Sequence, residues 1–157
     1  MRPAIRSSTV RPREDRRDSR VAAGVWALII LAATSLPAPD IRAELPHWAD
    51  KVVHFTLYFV LGVLVARAFL PPAPVPAEAI ADGRIGKRRH TGWLVLALLA
   101  IFAGADELHQ HWIRGRMPSS ADWIADVLGA GIGIAIGTHI RRSKPRPDTG
   151  IDRETNR

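Results

Sequence analysis

Four apolar runs with charge confined between them set the first constraint on this chain. The runs fall at about 21–36, 52–70, 91–108 and 121–140, while arginine and lysine crowd the two ends and one central loop. A soluble domain would spread its charge along amphipathic elements. The overall apolar fraction, 47%, is ordinary and hides this segregation. The pattern predicts an all-α protein, a four-helix transmembrane bundle over 21–140, flanked by disordered basic tails at 1–20 and 141–157. The first run is slightly short for a span, a shortfall that bilayer thinning or flanking residues can meet. An Arg-rich start before an apolar block also fits a signal peptide, but no clean small-x-small site follows at once.

Proline punctuates the runs. Ser35-Leu36-Pro37-Ala38-Pro39 ends the first helix and Pro71-Pro72 the second, because proline disfavours helix in the residue before it. A Pro/Ala-rich linker then covers 71–90 and ends in Arg84, Lys87, Arg88 and Arg89. Gly115 to Pro118 turns the chain before the fourth run.

Charge counts orient the spans. The first 20 residues hold seven arginines, the central loop four basic residues and the last 17 six, whereas the other two loops carry only Arg42 with Lys51 and Arg114 with Arg116. Under the positive-inside rule this alternation predicts a multi-pass protein of the inner (cytoplasmic) membrane, both termini inside. Arg67 falls at the inward end of the second span, where it can snorkel. Trp48, Trp112 and Trp123 all fall at outer ends, as an interfacial belt would place them. The net charge of +7 reads as basic tails at an anionic lipid surface rather than a nucleic-acid footprint. With no cysteine, disulfides, zinc–thiolate sites and thiol catalysis are excluded.

This topology brings two distant stretches to one face: Asp50-Lys51-x-x-His54-x-x-x-Tyr58, and the segment from Asp106 to Asp126. Lys51, His54 and Tyr58 share one helical stripe. Glu107, Gln110, His111 and Arg114 share another, with His109 pointing away. Asp122 and Asp126 align with Gly129 and Gly133. Asp50, Lys51, His54, Tyr58, Glu107, Gln110, Arg116, Ser119, Asp122 and Asp126 form the candidate polar cluster.

Plainer readings stand beside it. Ser119-x-x-Asp122 matches a capping box. Asp50-Lys51 can be an exposed helix start, His54 a satisfied interfacial histidine, Tyr58 a belt tyrosine and Arg114 a solvated rim charge. Asp126 lies too deep to cap and needs a partner. Glu107 follows an apolar run directly and should be paired inside the bundle, with Lys51, His54 and Arg116 available. Gly129, Gly133 and Gly137, with Ala125, form a small-xxx-small ridge for helix packing within or between chains. Glu107 and His111 with His54 make only a weak metal set, and no P-loop, dinucleotide fingerprint or nucleophile elbow is present. No metal and no cofactor are expected.

In combination and order these residues resemble the VanZ-like family of small bacterial membrane proteins. The match runs through Ser35-x-Pro37, Asp50-Lys51-x-x-His54-Phe55, Tyr58, Gly62, Glu107-x-x-Gln110, Gly115-Arg116-x-x-Ser119-x-x-Asp122 and Gly129, covering roughly 21–140. The resemblance implies an integral membrane protein, in a family whose name-giving member is linked to teicoplanin resistance. The family usually has asparagine where this chain has Asp126, so the carboxyl there either is protonated, imitating the amide, or is ionised against a cation.

Three functions follow from the cluster. One is an outward-facing polar pocket for a lipid-linked or cell-wall-precursor head group, affecting glycopeptide susceptibility, with Lys51 and Arg116 on anionic oxygens and Glu107, Gln110 and Asp122 orienting the site. Another is a membrane enzyme using Glu107, Asp126 and His54 as acid and base. The third is a structural or assembly protein. Expected partners are membrane lipid and such a precursor, with no nucleic acid; the oligomeric state is open.

Overall fold

The computed structural model describes residues 12–37, 46–71 and 84–140. They form four helices: α1 (Pro12–Ser35), α2 (His47–Phe69), α3 (Arg84–Gln110) and α4 (Ser120–Ile140). No strand occurs among the described residues. Arg16–Ser35, Trp48–Phe69, His90–Gln110 and Ser120–Ile140 are each long and apolar enough to cross a membrane. Helices of this length rise about 30 Å, matching a hydrocarbon core of about 30 Å.

Three helices start earlier than the apolar runs. α1 begins at Pro12, inside the stretch expected to be a disordered tail. Proline suits a first helical position. Arg20 reaches across to lie 5.3 Å from the centre of the Phe69 ring on α2. α2 starts at His47 behind an extended Pro46. α3 starts at Arg84, so the basic end of the expected linker is helical backbone. No proline follows Pro76 before this start, and arginine and lysine are good helix formers. The expected tails at 1–11 and 141–157, and the linker at 72–83, lie outside the described residues. At its far end α2 stops at Leu70, which turns extended ahead of Pro71 as its φ of −92° and ψ of 148° show.

The bundle is apolar outside and polar at one end inside. Leu28, Val53, Leu94, Leu98, Ile101, Leu128 and Ile132 are all exposed. In water such surface would aggregate; hydrocarbon tolerates it. The core is small: Ile30, Tyr58, Leu61, Leu99, Ala103 and Ala130. Indole N–H groups cross-tie the helices. Trp26 Nε1 donates to the Leu57 carbonyl at 2.9 Å, and Trp123 Nε1 to the Ala100 carbonyl at 2.9 Å.

α2 and α4 form the tight central pair. The glycine ridge of α4 packs inside this chain, against the α2 backbone. A Cβ at Gly129 would meet the Phe55 carbonyl and lie 3.1 Å from Phe59 N; one at Gly133 would meet the Phe59 carbonyl and lie 3.0 Å from Val63 N. Gly137 sits over Val63 and Ala66, and Gly62 of α2 returns the contact against Ala130. Backbone thus touches backbone, which only residues lacking a side chain permit.

Candidate functional site

Close α2–α4 packing draws the polar end together. The C-termini of α1 and α3 and the N-termini of α2 and α4 share this end, as the cross-links between them show. His54 and Tyr58 come from α2, Asp106, Glu107 and Gln110 from α3, and Asp122 and Asp126 from α4. All seven are buried, with Asp126 at 0% and Tyr58 at 1% exposure. Asp50, Lys51, Arg116 and Ser119 are partly exposed and make the rim.

Three links define the geometry. Lys51 Nζ donates to Asp122 Oδ1 at 2.9 Å. His54 Nδ1 lies 3.1 Å and 3.3 Å from the two Asp126 oxygens. The same Nδ1 lies 3.8 Å from Glu107 Oε1. Asp126 therefore has the partner that its depth demands, and the group facing it is an imidazole rather than a lysine or arginine. Of the three candidate partners for Glu107, His54 is the near one.

The capping box is shared between helices. The Asp122 N–H donates to Ser119 Oγ at 3.3 Å, as a cap requires. The reciprocal bond comes from elsewhere: the Ser119 N–H donates to Glu107 Oε2 at 2.9 Å. Asp122 is thereby left to hold Lys51 while its presence in the first turn still suits the helix dipole. The capping and clustering readings of Asp122 are both realised.

Arg116 also serves the fold. Its Nε donates to the Leu36 carbonyl at 3.1 Å and its NH2 to the Ala33 carbonyl at 3.0 Å, closing the C-terminus of α1. Its NH1 donates to Gln110 Oε1 at 3.0 Å. Gly115, at φ 77°, makes the turn that presents the guanidinium there. Cationic side chains are favoured at helix C-termini, where carbonyls point outward unpaired.

Other expectations need revision. Tyr58 is no belt residue: its ring packs in the core, 6.0 Å from Phe102. The stripe from Glu107 to Arg114 breaks, because α3 ends at Gln110 and puts His111 and Arg114 in an exposed turn. His111 instead sets its ring edge-on to Trp112, at 5.9 Å. His111 consequently leaves the weak metal set with Glu107 and His54. Ligand atoms within 4.8 Å of one another occur in two other groups, Asp50–His54–Asp122 and His54–Glu107–Asp126. His109 does point away from Glu107, reaching Ser35 Oγ at 3.1 Å.

Two residues escaped the sequence reading as site members. Asp106 is buried at 1% exposure, and Thr34 Oγ1 lies 2.7 Å from its Oδ1. Helical spacing carried the signal in both cases. Leu99, Ala103, Asp106 and Gln110 follow one inward stripe, and so do Ala23, Ile30 and Thr34.

Four buried atoms have no hydrogen-bond partner among the described residues: Tyr58 Oη, Asp106 Oδ2, Glu107 Oε1 and Gln110 Nε2. All belong to this one cluster. Buried polar groups normally find partners, and each orphan costs about 1–3 kcal/mol.

No curated protein and no solved structure matches the chain. The VanZ/LLP1 family model matches residues 7–141, a stretch that contains all four helices and every residue of the cluster. With its four apolar helices and this match over most of its length, the chain is a membrane protein of the VanZ/LLP1 family.

Proposed function

We propose that this protein lies in the cytoplasmic membrane with both termini inside, and that its polar end binds the head group of an envelope lipid or cell-wall precursor from the outer side. One observation carries the reading: four unpartnered buried polar atoms converge on a single cluster. Donors and acceptors left unmet in an apolar bundle are a recognition surface for a guest rich in hydroxyls and amides. Lys51, partly exposed at the rim, gives one N–H to Asp122 and keeps its other ammonium donors for anionic oxygens. Gln110 Nε2 and Tyr58 Oη supply donors below it, and the Glu107 and Asp106 oxygens supply acceptors. The link of the family's name-giving member to teicoplanin resistance supports an envelope role.

Orientation has a clean test, because the chain has no cysteine. Met117 is 85% exposed in the turn between α3 and α4. Met117→Cys in intact cells should react with a membrane-impermeant maleimide added outside. Labelling only after the cells are opened would place the cluster at the cytosolic face and end this proposal.

Binding is tested by native mass spectrometry of the purified chain. A co-purifying lipid-linked precursor should be present with the parent and fall at least tenfold with Gln110→Ala. Deletion should shift glycopeptide susceptibility. Absence of any envelope lipid together with unchanged susceptibility would refute the reading.

A membrane enzyme is the second reading, favoured by an imidazole 3.1 Å from one carboxylate and 3.8 Å from another. Comparing Glu107→Gln with Glu107→Ala separates the two. Function retained by the glutamine variant supports binding; function lost equally in both supports proton transfer by Glu107.

A further inference from the structure

The strongest unexplained feature is the pair of carboxyl groups set about one imidazole in the deepest part of the cluster. Asp126 and Glu107 both turn toward His54, and an imidazolium carries at most one positive charge. Lys51 is committed to Asp122 at 2.9 Å. Two carboxylates facing one imidazole in a low-dielectric interior are a costly arrangement.

We propose that His54 Nδ1, Glu107 Oε1 and a carboxylate oxygen of Asp126 bind one divalent transition-metal ion, of which Zn²⁺ is the type. The ion takes the place of the proton between His54 and Asp126 and balances both carboxylates.

Distances carry the idea further than charge alone. Donors about 2.0 Å from a tetrahedral zinc stand about 3.3 Å apart. Nδ1 stands 3.1 Å from Asp126 Oδ1 and 3.8 Å from Glu107 Oε1, and the three ligand atoms all lie within 4.8 Å of one another. Imidazole with carboxylates is a donor set suited to zinc and its neighbours.

Orientation and access agree. The Ser119 N–H holds Glu107 Oε2 at 2.9 Å and so turns Oε1 toward His54, the role that outer hydrogen bonds play around metal ligands. That Oε1 is buried and unpartnered, as is the Tyr58 hydroxyl one turn beyond His54 on α2. Toward the rim, Asp50 and Asp122 gather around the same imidazole and give a cation an acidic way in.

This inference goes beyond the head-group reading and does not need it, since its test contains no envelope precursor. The full chain, purified in detergent without a polyhistidine tag and stripped with EDTA, is titrated with Zn²⁺ against a chromophoric chelator. One equivalent per chain is expected. Glu107→Gln and Asp126→Asn, which keep side-chain volume and hydrogen bonding, should each weaken binding at least tenfold, and Asp50→Asn should leave it within about threefold. Less than about 0.1 equivalent taken up by the parent overturns the proposal without reference to any variant. Binding that survives in both Glu107→Gln and Asp126→Asn overturns it too, as does binding lost only in Asp50→Asn, which moves the ion to the rim group.

Discussion

Alanine at position 54 should destabilise the metal-free bundle by about 2–4 kcal/mol, from the orphaned Asp126 carboxyl and the cavity left by the ring. His54 and Asp126 are side chains with 4% and 0% exposure, so water cannot replace the lost ring. Among the described residues the variant leaves Asp126 with no donor and takes from Glu107 Oε1 the ring nitrogen 3.8 Å away. The penalty belongs to the orphan rather than to the pair, and a second substitution exposes this. Leucine at both 54 and 126 removes donor and acceptor together, and should recover most of the loss. Thermal unfolding in detergent, followed by helical circular dichroism, checks both. A His54→Ala midpoint equal to that of the parent, or a double variant worse than either single one, would contradict the account.

Valine at Gly133 is the second large effect, about 3 kcal/mol, the upper end of the usual cost of overpacking. Its Cβ would be driven into the Phe59 carbonyl, and backbone cannot swing aside as a side chain can. Gly129→Val should behave alike, pressing on the Phe55 carbonyl. Gly24 is the control, because a Cβ there meets nothing within 4 Å. Gly24→Ala should be neutral or gain up to about 1 kcal/mol from helix propensity. If Gly24→Ala and Gly133→Val melt together, α2 and α4 do not touch as described.

How far this could be read from the sequence differs by residue. The four spans follow from apolar length, and the meeting of Lys51, His54, Glu107 and Asp122 at one end follows from alternating direction. Both are one-dimensional facts. Which way a side chain points at that end is not. Tyr58 satisfies the statistics of an interfacial belt, yet the same stripe as His54 carries it inward. Arg116 is a cation beside acids in the sequence; in space it finds the open carbonyls of α1, from a part of the chain some 80 residues earlier. Asp106 was overshadowed by its neighbour Glu107, although its seven-residue step from Leu99 places it on the inward face. The helical start of α1 was hidden because polar residues that project past the hydrocarbon leave no apolar period to see.

The amide of Ser119 rests on a carboxylate borrowed from α3, and this has a mechanical meaning. Prising α4 from α3 at this end breaks a charge-assisted bond and strips a buried carboxyl of its one amide donor, a cost of about 1–3 kcal/mol. The loop joining them is therefore a clasp rather than a slack tether. Breathing of the bundle is steered away from that seam, toward joints that no such bond spans.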